Sequence, residues 1–141
     1  MKLRIINLQN KIPIPKKKIL SKTKKILKLQ NKVAANLSVV FVNDHLIKKL
    51  NKKFLRKNRP TDVMAFDLKD KNEHTSSING EIVISTETAV RNSKIYKTKQ
   101  YDELLLYVIH GVLHLCGFND HKKQETKLMR KREQYILQKI S

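Results

Sequence analysis

The chain has 141 residues, 40 % of them apolar, and its 31 Lys and Arg against 12 Asp and Glu give a formal net charge of +19. This length supports one domain with a real core and excludes two comfortable ones, and the lack of any run of roughly 18 consecutive apolar residues excludes a helical membrane span. The lone Cys116 excludes an internal disulfide. The opening MKLRIINLQN alternates like a strand and lacks the apolar core and small-residue cleavage site of a secretory signal, so a soluble, cytoplasmic protein is expected. A pI near 10.2 points to a polyanion, because clustered Lys and Arg bind phosphates by releasing counterions. The competing explanation is uniform lysine enrichment, since 25 of the basic residues are Lys and only 6 are Arg. An anionic membrane surface fits less well, because no basic stretch is paired with exposed aromatic residues.

In chain order, LRIINL (residues 3–8) reads as a first strand with Leu3 and Ile5 on one face. Pro13 and Pro15 precede a helix over 16–30, whose imperfect apolar stripe (Ile19, Leu20, Ile26, Leu27, Leu29) faces a strongly basic remainder. Leu37 to Val42, rich in β-branched residues and bounded by Asn36 and Asn43, is a second strand. Asn43 or Asp44 then caps a short helix to about Phe54, and the basic loop LRKNRP follows. Val63 to Leu68 and Ile78 to Ser85 are the third and fourth strands, joined by the polar KDKNEHTSS, which reads as a mobile hairpin connection. Ser85 or Thr86 caps a helix to about Ser93, Thr98 or Asp102 starts a strongly apolar one, and Lys122 to Lys139 forms a last amphipathic helix. His45 and His74 read as an ordinary helix histidine and loop histidine.

The candidate chemistry lies in HGVLHLCGFNDH, residues 110–121. His110 and His114 are four apart, so on a helix both imidazoles leave one face about a turn apart and can reach one metal ion. Gly117 offers the left-handed residue that ends a helix, and Phe118-Asn119-Asp120 can turn the chain so that His121 approaches the same point. Three protein ligands would leave a fourth tetrahedral position open, the arrangement of catalytic rather than structural zinc. Residues 100–121 contain no Lys or Arg, which suits a cation site and equally a plain buried helix. Cys116 lies roughly 200° round the helix from His114 and reads as a small core residue.

That stretch resembles the HGxLHLxGYDH signature of the YbeY family, bacterial single-strand-specific endoribonucleases that mature ribosomal RNA. LNKKFLRKNRPTDVMAFDL resembles the family's LNxxYRxxDxPTDVLSFP, and GEIVIS its GDIVIS strand. The resemblance runs from end to end and implies an α+β fold: one compact domain over residues 1–141 with a four-stranded mixed sheet, about five helices and a central metal-bearing helix. Two departures stand out. The family's third histidine follows the second by six positions, whereas here the gap is seven and Asp120 occupies that place. Either the turn bulges and His110, His114 and His121 hold the ion, the arrangement preferred here, or Asp120 replaces His121. A third reading of Asp120 is an N-cap of the last helix. Second, the family's arginine after the aromatic residue aligns with Leu55. The phosphate-binding role is then lost, or falls to Arg56 or Arg59, which could grip a phosphodiester bidentately. Asp62 matches the TD pair, where a turn-stabilising role is expected.

The resemblance therefore implies a zinc-dependent endoribonuclease, one ion per chain, acting on single-stranded RNA in rRNA maturation and ribosome quality control. Arg56 would act in catalysis and Arg56 and Arg59 in substrate binding, and the base is open between metal-bound hydroxide, the RNA 2′-hydroxyl and Asp120 where it is not a ligand. Implied partners are rRNA, the small ribosomal subunit and a ribosome-associated GTPase. Gly111 stands where an HExxH protease carries its glutamate, which disfavours proteolysis. The alternatives are a non-catalytic, rRNA-binding assembly factor with a structural metal and, last, a small-molecule metal hydrolase, which leaves the charge unexplained.

Overall fold

Nine elements follow one another in the computed structural model, which describes residues 2–70, 72 and 75–141 and, at residue 35, the backbone alone. They are β1 (Lys2–Asn7), α1 (Lys16–Leu29), β2 (Val33–Val42), α2 (Asp44–Leu55), β3 (Val63–Asp67), β4 (Ser77–Ser85), α3 (Thr86–Tyr96), α4 (Gln100–Leu115) and α5 (Lys123–Ile140). The strands form one sheet in the order β1-β2-β4-β3. β2 runs parallel to β1 and β4, while β3 pairs antiparallel with β4 and forms an edge. The mixed four-stranded sheet and five helices match the expectation. His74 lies outside the described residues, and no helix among them is long and apolar enough to cross a membrane.

Alternation along the strands divides the interior in two, because successive side chains leave opposite faces of a pleated sheet. Leu37, Val39 and Phe41 of β2 and Ile82 and Ile84 of β4 meet α1, α4 and α5 in the larger core. Val40, Val42 and Val83 point the other way and meet Met64 and Ile47, so α2 covers the second face. Full burial of each such side chain contributes about 1.5–3 kcal/mol, and α4 buries ten residues, Ile109, Val112 and Leu113 among them. It is the central helix of the fold.

Element boundaries moved where tertiary contacts outweighed local signals. β2 begins at Val33 rather than Leu37, because pairing with β4 continues past Asn36 through a register shift between Ala34 and Asn36. α3 runs to Tyr96, since Ser93 is buried and turns its hydroxyl to the Val90 carbonyl (2.7 Å) instead of ending the helix. Ser85 caps α3 by accepting from Thr88 N–H, and Asn43 caps α2 by accepting from Leu46 N–H, both as expected. α5 is capped differently from the Asp120 reading: its N-cap is Lys122, whose backbone N–H donates to Glu125 at 3.1 Å.

Candidate metal centre and its cleft

Gly111 decides how closely α4 approaches the sheet. A Cβ there would lie 2.6 Å from Ile82 Cγ2, so only glycine lets the helix seat on β4 at this depth. One turn of that helix then carries His110 and His114, whose apolar neighbours anchor it while both imidazoles stay about a quarter exposed, 25 % and 28 %. The helix stops as its sequence requires. Gly117 adopts φ +98°, its N–H donates to the His114 carbonyl, and Phe118 N–H donates to the Leu113 carbonyl, each at 3.0 Å. This paired Schellman closure fixes the exit of the chain and brings Asp120 back over the histidines.

His110 Nε2 and His114 Nε2 lie 2.9 Å apart, and Asp120 Oδ2 sits 3.7 Å from each. Tetrahedral coordination with bonds of about 2.0–2.2 Å places donor atoms roughly 3.3 Å apart. Two imidazole nitrogens and one carboxylate oxygen thus fit a divalent transition metal in both chemistry and spacing. Among the described residues the donor cluster comprises His110, His114 and Asp120. His121 lines the same cleft without joining the cluster, and Cys116 packs half-buried against the main core, where burial pushes its thiol pKa up.

Behind the cluster stands Glu133, which the motif analysis did not single out. The residue is only 7 % exposed, and its carboxylate accepts from His110 Nδ1 at 2.6 Å. With Nδ1 protonated, a neutral His110 keeps its Nε2 lone pair toward the cleft, as a metal-binding histidine must. Burial works against the charged form of His110, but the hydrogen bond and charge of Glu133, with Asp62 and Asp120 beside it, raise its pKa above the ordinary histidine value. His114 goes the other way: burial and the neighbouring His110 lower its pKa, favouring the neutral ligand form. A signal for Glu133 was present in the sequence. It shares the apolar stripe of α5 with Met129, Ile136 and Ile140, where an acidic residue needs a buried partner.

The histidines open onto a cleft of about 970 Å³ between α4 and the α2–β3 segment. Its far wall carries Phe54, Leu55, Lys57, Arg59, Asp62 and the whole of β3. Of the two sequence-predicted arginines, Arg59 lines the cleft. Arg56 is the left-handed cap of α2 (φ 57°), is exposed, and is not among the lining residues. Lys57, passed over in the sequence, is. Asp62 has its expected turn role, accepting from Val63 N–H at 2.8 Å, and also faces the cluster. A smaller recess of about 250 Å³ on the other side of His110 and Asp120 is lined by Arg130 and Glu133. Cations therefore flank the donor cluster on two sides. His45, by contrast, is exposed on α2 and outside the cleft lining.

The chain is similar to known proteins along almost its whole length. The family model described as endoribonuclease YbeY matches residues 4–141. An endoribonuclease YbeY of Syntrophus aciditrophicus is 36 % identical over 96 % of this chain and 88 % of its own length. That of Carboxydothermus hydrogenoformans is 32 % identical over 94 % of this chain and 93 % of its own. The solution structure of TM1509 from Thermotoga maritima superposes with a TM-score of 0.66 at 26 % identity, covering 99 % of this chain and 89 % of that one. A match across nearly the whole sequence, carried by relatives of near-equal length, places the chain in the endoribonuclease YbeY family.

Proposed function

We propose that the chain is a single metal-dependent hydrolase domain spanning residues 1–141, an endoribonuclease that cuts single-stranded RNA and matures rRNA. The observation that carries this reading is the His110, His114, Asp120 cluster at the floor of a cation-flanked cleft. His110 and His114 would hold one zinc ion, with Asp120 as third ligand on its distances and His121 as the competitor in the same cleft. When bound, the ion supplies Lewis acidity toward a phosphoryl oxygen and an acidified water.

The chain's own groups do the rest. Glu133 holds the proton on His110 Nδ1 and fixes the ring plane. Arg59 and Lys57 on one side and Arg130 on the other bind backbone phosphates and offset charge developing on the scissile one. Arg56, one residue outside the cleft lining, would meet the strand beyond the site. A carboxylate not engaged in ligation is the base, a role open to Asp120 where His121 completes the metal set. Partners would be rRNA and the small ribosomal subunit, with a ribosome-associated GTPase, in the cytoplasm. The exposed Leu55 in the position of the family arginine favours a second reading, an assembly factor that binds rRNA without cutting it.

Elemental analysis and cleavage assays on four alanine variants test both. About one zinc per chain should be lost with His110→Ala, His114→Ala and Asp120→Ala and kept with His121→Ala; the reverse outcome at the last two positions makes His121 the ligand and frees Asp120 for proton transfer. Cleavage at the wild-type rate by the metal-stripped double histidine variant would sink the nuclease reading. Salt-dependent binding without cleavage by zinc-loaded wild type would establish the assembly factor.

A further inference from the structure

Part of the cleft wall opposite the histidines is apolar, beside the cations Lys57 and Arg59. Phe54 is 53 % exposed and Leu55 57 % exposed, and both line the cleft shared by His110, His114 and Asp120. Scattered exposed apolar residues are ordinary, but these two are adjacent, lie in one concave surface, and are backed by a third ring. Phe66 of β3 packs edge-on against Phe54 with centroids 5.2 Å apart and planes at 67°. That contact steadies the Phe54 ring while leaving about half of the residue open.

The mounting is rigid. Phe54 and Leu55 occupy the last turn of α2, which Arg56 ends in the left-handed conformation. Arg56 N–H donates to the Lys52 carbonyl and Lys57 N–H to the Asn51 carbonyl. The buried Asn51 side chain in turn donates from Nδ2 to the Arg59 carbonyl at 2.9 Å, tying the basic loop to the helix. The aromatic ring, with Lys53 Nζ 5.4 Å from its centroid, and the backbone that carries the exposed Lys57 and Arg59 side chains are thereby tied together along one wall. A base stacked on an aromatic ring with its phosphate on a neighbouring cation is how single strands are gripped without reading their sequence. Duplex RNA cannot use such a wall, because its bases are already stacked.

We infer that Phe54, supported by Phe66 and extended by Leu55, is a stacking platform for one unpaired nucleobase of the RNA strand in the cleft, with the adjoining phosphate held by Lys57 and Arg59. The inference rests on the nuclease reading and adds to it the source of single-strand preference. The platform accepts any of the four bases, since stacking uses the face of the ring and no hydrogen-bonding edge is engaged.

The test is a cycle of protein and RNA changes. Binding of a short single-stranded RNA to metal-stripped protein is measured by anisotropy for wild type, Phe54→Ala and Phe54→Trp, with intact oligonucleotides and with an abasic residue walked along them. Phe54→Ala should weaken binding of intact RNA about tenfold, and Phe54→Trp should restore it. At one abasic position the wild type should lose the same factor and Phe54→Ala should lose nothing more. The salt slope should be unchanged by Phe54→Ala and should fall by about one with Lys57→Ala or Arg59→Ala. Circular dichroism checks that each variant is folded. Zinc-loaded wild type that neither binds nor cuts single-stranded RNA defeats the nuclease reading itself. Wild type that cuts, with Phe54→Ala binding intact RNA as tightly, overturns the platform and leaves this wall to a protein partner.

Discussion

The two walls of the cleft are built on opposite terms. On the α4 side the support comes from behind: His110 is held by the buried Glu133, the exit turn by its paired carbonyl bonds, and the helix itself by the close seat of Gly111 on Ile82. On the α2–β3 side the backbone is fixed but Phe54, Leu55, Lys57 and Arg59 all point their side chains outward, exposed. Coordinating an ion tolerates errors of only a few tenths of an ångström, so a ligand such as His110 needs a hydrogen-bond partner that fixes its ring. Gripping a flexible single strand needs reach and adaptable charge, which an exposed loop and helix end provide. Damage to the first wall should therefore act on metal affinity and stability, and damage to the second on RNA affinity alone.

The largest effect expected from breaking this division is at Glu133. Glu133→Gln keeps the size of the side chain but removes the charge that orients and polarises His110. Zinc affinity, read by competition with a chromophoric chelator, should fall about 10- to 100-fold, while metal-free protein keeps its affinity for RNA. Unchanged zinc affinity would mean that His110 is placed by packing alone.

A smaller effect is expected at Gly111. In an exposed helix interior, glycine to alanine stabilises by about 1 kcal/mol. Here the new methyl meets Ile82, and overpacking of a tight core costs about 1–3 kcal/mol. Gly111→Ala should be net destabilising by about 1 kcal/mol in urea unfolding of the metal-free protein. Combined with Ile82→Ala it should cost clearly less than the two changes added, because the second side chain vacates the space the first needs. Strict additivity would show that α4 can rise off the sheet without penalty.

How far the sequence revealed these two walls follows from what each depends on. The His110–His114 face, the Gly117 stop and the caps at Asn43 and Ser85 were legible, because each is set by spacing or by one residue's local backbone preference. So was the mixed sheet, through the family resemblance. Glu133 was not reached, since its role arises only when α5 crosses α4 and sets residues 23 positions apart in contact. The preference for His121 over Asp120 turned on whether the loop after Gly117 bulges, and that depends on how it packs. It does not bulge far enough to bring His121 into the cluster. Arg56 was expected at the phosphate and Lys57 was not singled out for a similar reason: Arg56 takes the left-handed cap conformation, and Leu55, Lys57 and Arg59 line the cleft while Arg56 does not.

The smallest effect should appear far from either wall, where Asp44 ties the start of α2 to α3. Its carboxylate accepts from Ser85 Oγ at 2.6 Å and Thr88 Oγ1 at 2.8 Å, and pairs with Arg91 at 2.6 Å. Burial alone would raise its pKa, but the Arg91 hydrogen bond and charge, with the two hydroxyls, outweigh burial and hold it below the ordinary aspartate value. A carboxyl whose folded pKa is depressed stabilises the fold above its unfolded pKa, near 4, and loses that contribution as pH falls through the folded value. Arg91 is half exposed, so solvent screening reduces what the pair contributes. Asp44→Asn, which keeps an acceptor for the hydroxyls and loses only the charge, should cost about 0.5–1 kcal/mol between pH 5 and 7. Below pH 4 the gap between the two proteins should close, because the wild-type carboxyl is then being protonated as well. A gap that stays constant down to pH 2.5 would locate the loss in the altered hydrogen bonds rather than in the charge. Metal and RNA affinity should be untouched throughout, which is what separates this junction from both walls of the cleft.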